Sequence, residues 1–259
     1  MALQQLGPAG GLGEYPYFED VNEGIVRCLP EVKSLPGATR VLDLGCGHGR
    51  LGAELRKRGY EVFGVEREPA IVQRASEHLN KVITGDLQAP QTILSQFKGM
   101  CFDYIIFSDV LEHMVSPLEI LSSYLPLLAS DGKVVISVPN VANWQTRLAL
   151  SAGRFTYKAT GVLDRTHLRF FTRRSLAALI RSAGLTVVKE DVTPMLSRVI
   201  LPMVKTVLRR KSDGASNPGV ILQSPLYSYY MRWVNPVETR IARVCPGLFA
   251  FRLIVVAAK

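Results

Sequence analysis

The sequence predicts an α/β domain on a mostly parallel sheet with helices on both faces, and three observations carry that reading. From residue 40 onward, short apolar runs alternate with helix-patterned stretches, the rhythm of successive βα units. The first run, Val41-Leu42-Asp43-Leu44, passes straight into Gly45-Cys46-Gly47-His48-Gly49 and then a helix-compatible stretch over 50–58. The second run, Glu61-Val62-Phe63-Gly64-Val65, ends in Glu66, 23 residues past Asp43. Glycines at alternate positions let the backbone turn sharply and approach a ligand. A carboxylate closing the second strand can hold both hydroxyls of a ribose. The Gly-x-Gly-x-Gly spacing departs from the Gly-x-Gly-x-x-Gly dinucleotide fingerprint. The pattern therefore describes a nucleoside site without a pyrophosphate and argues against a nicotinamide dehydrogenase.

The individual elements follow from pattern and punctuation. Strands are predicted near 40–44, 61–65, 81–84, 102–107 and 133–138, with helices near 50–58, 69–79, 91–97 and 117–128 between them. In the last of these, Leu118, Leu121, Leu125 and Leu128 recur at three- and four-residue steps, a core-facing stripe. Thr172 reads as the N-cap of a helix over 173–182 that Gly184 ends, followed by a strand over 185–189. The apolar run over 249–257 suits an inner strand.

Two stretches exceed a minimal sheet: 140–171, after the fifth strand, and 193–247, between the last two strands. Within the second, Met195, Leu196, Val199, Ile200, Met203, Val204, Val207 and Leu208 share one helical face. Arg198, Lys205, Arg209, Arg210 and Lys211 gather on the other side or at its end, and Pro202 kinks or splits the run. Such a helix caps a site, buries its apolar face in a homodimer, or lies on an anionic membrane surface.

Composition narrows the class. A 47% hydrophobic and 20% charged chain of 259 residues fits a globular protein with a substantial core. Cys28, Cys46, Cys101 and Cys245 are scattered without CxxC or Cys/His ligand spacing, so no metal site and no disulfide framework is expected. No signal pattern and no spanning apolar run is seen, and a cytoplasmic location is expected, extending to the periphery of the inner membrane face. Charge is uneven. Residues 1–150 carry 13 Lys/Arg against 17 Asp/Glu, whereas 151–259 carry 18 against 5. A strongly basic second part suggests an anionic partner.

Asp43-Leu44-Gly45-Cys46-Gly47-His48-Gly49 resembles the first motif of class I S-adenosylmethionine (SAM)-dependent methyltransferases, and Glu66 matches their ribose-binding acid. Thr84-Gly85-Asp86-Leu87, the run Phe102 to His113 and the run Asp131 to Asn140 resemble, in order, that family's adenine-side loop, fourth strand with its following loop, and fifth strand. The resemblance covers roughly residues 40–140 and implies a Rossmann-like seven-stranded sheet with an antiparallel last strand. It implies a core of 40–192 and 248–259, a helical cap of 1–39 over the donor site, and a basic insertion of 193–247 that serves as lid, dimer or membrane element.

As cofactor it implies SAM. The implied donor-binding set is Asp43, Gly45, Cys46, Gly47, Gly49, Glu66, Asp86, Leu87, Ser108 and Tyr17. Asp43 would meet the donor's ammonium, the backbone N–H groups around Gly45 to Gly49 its carboxylate, Glu66 its ribose and Asp86 its adenine amine.

Methyl transfer is an in-line displacement, so alignment and exclusion of water come first. An oxygen acceptor gains further from a general base. His113, past the fourth strand, and His167, in Asp164-Arg165-Thr166-His167, are the two candidates, with Asp109 and Asp164 placed to orient either one. The segment 139–172 is similar to bacterial methyltransferases of surface-glycan and lipid-linked pathways. Arg147, Arg154, Arg165 and Arg169 within it are candidates for an anionic acceptor.

The reading is methyl transfer to an oxygen of a small or lipid-linked, anionic or sugar-containing acceptor. Nitrogen or carbon acceptors and a non-catalytic SAM-binding protein are the alternatives. Nucleic acid is disfavoured, because Ser108-Asp109-Val110-Leu111 stands where base-amine methyltransferases carry an Asn/Asp-Pro-Pro-aromatic motif. RNA ribose methylation is the remaining nucleic-acid route.

Overall fold

The computed structural model describes residues 21–32, 37–195 and 229–259. Tyr17 and nearly all of the basic amphipathic stretch 195–211 lie outside the described residues, as does most of the 1–39 cap.

Seven strands form one sheet: β1 Arg40–Leu44, β2 Glu61–Glu66, β3 Lys81–Thr84, β4 Phe102–Ser108, β5 Leu128–Pro139, β6 Thr186–Pro194 and β7 Ala250–Ala258. Their order is β3-β2-β1-β4-β5-β7-β6. β1 to β5 pair in parallel, and β7 runs antiparallel between β5 and β6. The order reverses between β1 and β4, and the carboxyl ends of these two strands open a crevice where α/β sheets bind ligands.

Side chains alternate across the sheet and feed two cores. On one face, Val41, Val62, Ile106 and Val135 pack with Ile25 of α1 (Glu23–Cys28), Leu55 of α2 (Arg50–Lys57) and Ala75 of α3 (Pro69–Ser76). On the other, Leu42, Ile105, Phe107 and Ile136 meet Ile93 of α4 (Pro90–Gln96), Leu121 of α5 (Pro117–Tyr124) and Ile180 of α7 (Arg173–Ser182). Each of these Val, Leu, Ile and Phe side chains contributes ~1.5–3 kcal/mol by leaving water. Thr172 caps α7 in a reciprocal box with Ser175, as its position predicts.

Several boundaries differ from the sequence reading. The helix predicted over 117–128 ends at Tyr124, and a 3₁₀ turn at Leu125–Leu127 containing Pro126 leads into a fifth strand that begins at Leu128. Of the predicted stripe, Leu121 and Leu128 are buried but Leu118 is exposed, and Ile120 and Tyr124 take its place in the core. β6 extends past residue 189 to Pro194 because it pairs with β7 along that length. Inside the stretches left unassigned lie α6 (Trp144–Ser151), capped by Asn143, and α8 (Asn235–Val244). No helix among the described residues is long and apolar enough to cross a membrane.

Candidate active site

The glycine loop after β1 is a tightly braced turn. Gly45, Gly47 and Gly49 have φ of 78°, 52° and 74°, a region costly for residues with a Cβ. At Gly45 an added Cβ would also stand 2.7 Å from Val110 Cγ2. The sequence reading assigns the loop amides to a ligand carboxylate. The structure uses most of them internally: Gly45 and Cys46 N–H donate to Val65 O at 2.8 and 3.0 Å, and Gly49 N–H to Cys46 O at 2.9 Å. Gly47 N–H donates to Glu66 Oε2 at 3.0 Å, while Glu66 Oε1 accepts from Arg67 and Glu68 N–H at 2.8 and 3.2 Å. Glu66 thus organises the end of β2 and the glycine loop together.

Asp43 sits beneath this loop, 1% exposed. Burial, reinforced by the nearby Glu66 charge, pushes its carboxyl up to about 7. Its Oδ1 has no hydrogen-bond partner among the described residues. A buried carboxylate oxygen in that state suits a cationic group such as the ammonium of SAM. Burial, then Asp43 and Glu66, push the Cys46 thiol up, so it stays protonated and serves as a small apolar wall. Asp86 is exposed and closes its own turn by accepting from Gln88 N–H at 2.9 Å. Leu87 is buried, faces Gly45, and accepts the Tyr124 hydroxyl on its carbonyl at 3.2 Å. Ser108 ends β4, half-buried at the crevice.

Past Ser108 the chain turns abruptly at Asp109, whose φ of 55° is the positive value of a non-glycine residue. That conformation is held by a buried polar network. Asp109 N–H meets Ser137 O at 3.0 Å, Ser137 Oγ donates to Asp109 Oδ1 at 3.0 Å, and Asn22 Nδ2 donates to Ser137 Oγ at 3.0 Å. Arg252 Nε lies 2.7 Å from Asp109 Oδ2, a charge contact without hydrogen-bond alignment. Ser137 and Arg252 were missed by sequence reasoning, although a serine inside Val-Val-Ile-Ser-Val and an arginine inside an apolar terminal strand are legible as buried polar groups in need of partners.

The network aims the 3₁₀ turn Leu111–His113 at the insertion 140–171. The insertion is closed at its base, where Val141 N–H donates to Phe171 O at 2.9 Å. It folds over the end of β4 because Leu168 and Arg169 N–H both donate to Glu112 O, at 2.8 and 2.9 Å. His113 and His167 are thereby brought together with ring centroids 4.9 Å apart, edge to face. His113 Nδ1 faces Thr166 O at 3.3 Å and His167 Nδ1 faces Val162 O at 3.1 Å. A carbonyl only accepts, so each Nδ1 carries the proton and each Nε2 keeps its lone pair. Burial lowers both imidazoles below the ordinary histidine range, and for His113 the neighbouring His167 adds to the effect.

Asp164 accepts from the Thr166 N–H and hydroxyl at 2.8 and 2.7 Å, shaping the turn that carries His167. Asp109 and Asp164 are thus each engaged by their own neighbours. Arg147, Arg154, Arg165 and Arg169 are all exposed on the insertion. Arg147 and Arg169 donate to the carbonyls of Ala142 and Val115, at 2.6 and 2.5 Å.

Comparison with known proteins agrees with this architecture. The family described as "Methyltransferase domain" matches residues 15–190. A ubiquinone biosynthesis O-methyltransferase of Xanthomonas axonopodis pv. citri is 29% identical over 164 residues, 62% of this chain and 67% of that protein. Its counterpart in Xanthomonas campestris pv. campestris is 30% identical over 166 residues, 63% of this chain and 68% of that protein. Among solved structures, a SAM-dependent methyltransferase from Archaeoglobus fulgidus aligns with a TM-score of 0.55 at 20% identity, covering 91% of each chain. Magnesium protoporphyrin IX methyltransferase from Synechocystis PCC 6803 aligns at 0.53 and 17%, covering 91% of this chain and 80% of the other. These two share the fold. Family match, strand order and donor loop coincide on one chain, which belongs to the class I SAM-dependent methyltransferases.

Proposed function

We propose that this methyltransferase transfers the methyl group to an oxygen of a hydroxyl-bearing acceptor with an apolar or aromatic body. The observation that carries this reading is the His113–His167 pair, which presents proton-accepting nitrogens at the carboxyl edge of the sheet, beyond the donor loop. A neutral imidazole there can take the proton that an acceptor hydroxyl loses, an effect worth ~10²–10⁴-fold.

SAM supplies an electrophilic methyl group on a sulfonium. For the chain's part, Asp43 would hold the donor's ammonium, Glu66 its ribose hydroxyls, and the Gly45–Gly49 turn with Leu87 the close-packed wall beside it. Asp109 and Asp164 would hold the acceptor-side turns in place, and the insertion would exclude water.

The insertion supports an acceptor with an apolar part. Phe155 lies 5.5 Å from Tyr157 and 5.8 Å from Phe170, ring to ring, and Phe170 reaches His167 at 6.3 Å. Phe155 and Tyr157 are 41% and 55% exposed; Arg154 precedes Phe155, and Arg165 N–H donates to the carbonyl of Lys158, next to Tyr157, at 3.0 Å. An amphipathic acceptor, anionic or lipid-linked, would use both kinds of side chain. The relatives named for ubiquinone biosynthesis O-methylation support an oxygen acceptor.

The test incubates the protein with methyl-labelled SAM and a host extract, partitions the label between organic and aqueous phases, and identifies the methylated atom. Label in an organic-phase methyl ether is expected. Label on nitrogen or carbon, or none above a Glu66→Ala control, would overturn the reading.

A further inference from the structure

Glu112 is 1% exposed, and neither of its carboxylate oxygens has a hydrogen-bond partner among the described residues. Such a group is costly to bury unless a proton or a cation meets it. The Arg252 charge, which acts on Glu112, is drawn to Asp109 instead. Glu112 does not stand alone. One ligand atom from each of Glu112, His113 and His167 lies within 4.8 Å of the other two. Both imidazoles have Nδ1 against a backbone carbonyl, the second contact that fixes the ring of a metal-binding histidine and leaves Nε2 as donor atom.

We propose that Glu112, His113 and His167 form a binding site for a divalent transition-metal ion of zinc-like ligand preference. Two imidazoles and one carboxylate form an open three-ligand centre with positions left for an outside oxygen. Magnesium and calcium favour all-oxygen shells, which this set does not supply. In a tetrahedral centre with bonds of ~2.1 Å, ligand atoms stand ~3.4 Å apart. Closure from 4.8 Å therefore draws the set together by at most about 1.4 Å, which rotation of the three side chains must supply. Asp109 and Asp164 act electrostatically on both histidines and add negative potential around the site.

No metal site is expected from the sequence, in which cysteine and histidine show no ligand spacing. These ligands come instead from a 3₁₀ turn and a distant insertion loop, so no local spacing announces them. With an ion bound, the imidazoles would act as ligands rather than bases; the ion would lower the pKa of an acceptor hydroxyl bound to it, and the hydroxyl's proton would leave to solvent. That catalytic role rests on the O-methyl transfer reading; ion binding does not.

The experiment strips the full-length protein with a chelator and titrates it with Zn²⁺ by calorimetry, alongside Glu112→Gln and His167→Ala. About one equivalent is expected to bind, weakened ~10–100-fold in each variant, with SAM affinity within about threefold of wild type as the folding control. Wild-type binding no tighter than that of the variants would overturn the site. If a variant loses SAM binding through misfolding, Co²⁺ added to the wild type decides: a ligand-field spectrum distinct from aqueous Co²⁺ supports the site, and an unperturbed one sinks it. Zn²⁺ binding with methyl transfer indifferent to chelation would overturn the catalytic role alone. Zn²⁺ binding by a protein that transfers no methyl to oxygen would overturn the O-methyl reading and leave the metal site standing.

Discussion

His113 and His167 are 54 residues apart in the chain, yet their rings meet edge to face with centroids 4.9 Å apart. The contact exists because Glu112 O accepts two amides of the insertion, from Leu168 and Arg169, pinning one loop onto the other. Replacing His113 or His167 with alanine is expected to lower kcat by ~10²–10⁴-fold while SAM affinity changes less than about threefold. Because the two rings act as a unit, the double variant should be little worse than the poorer single one. Steady-state kinetics with donor binding by calorimetry checks this, and parallel losses of kcat and SAM binding would point to a structural role.

The proposed contact of Asp43 with the donor's ammonium should make SAM affinity depend on pH. Its folded-state carboxyl is raised from 3.8 to about 7, first by burial and then by Glu66. Below about 7 the neutral acid is a poor partner for an ammonium group, so SAM affinity should fall with pH, approaching tenfold per unit. Asp43→Asn should flatten that profile at a uniformly weaker affinity.

The same shift has a cost for the ligand-free fold. A raised carboxyl contributes stability at low pH that is lost as pH rises through about 7. At pH 8 the buried carboxylate is therefore destabilising, by at most about 4 kcal/mol. Ligand-free Asp43→Asn should melt higher than wild type at pH 8, with the difference shrinking toward pH 5.

Gly45 tests the braced loop. Alanine there meets both a φ of 78° and a 2.7 Å approach to Val110 Cγ2. A loss of about 1–3 kcal/mol in stability is expected, with SAM binding weakened further as the loop shifts. Gly153→Ala is the control. It has a φ of 68° with nothing within 4 Å of the added Cβ, so it should cost only the backbone strain.

Asp191 ties the ends of the chain to the sheet. Arg243 Nε and Nη2 reach its two oxygens at 2.8 and 3.1 Å, and Arg27 Nε lies 3.2 Å from Oδ2. Burial alone would raise this carboxyl, but the hydrogen bonds from Arg243 and Val192 N–H and the Arg27 charge outweigh it and hold it below the ordinary range. Its stabilisation is therefore present above 3.8 and lost as pH falls below that value. Asp191→Asn should cost about 1–3 kcal/mol at pH 7, because the half-exposed arginines can return to water. That cost should vanish in acid, which thermal melts from pH 3 to 8 would show.

Much of this protein is legible in one dimension. Alternating apolar runs place β1 to β5, the Gly-x-Gly-x-Gly turn marks the donor side, and Thr172 announces its helix, because each depends on neighbours a few residues away. The stripe over Leu118 to Leu128 misled on Leu118, since periodicity identifies a face but not where Pro126 ends the helix. The long β6 was underestimated because pairing with β7 extends it past its own apolar signal.

The sequence by itself determined the fold class and the glycine loop with Glu66 after the next strand, all local consequences of φ preference, spacing and hydrophobic period. Only the tertiary structure decided that the glycine-loop amides brace β2, that Asp109 answers to Arg252 across the sheet, and that Glu112, His113 and His167 come together. Those relations are contacts between distant segments. They are set by strand order and by where an insertion folds back, and they leave no periodic trace in the chain.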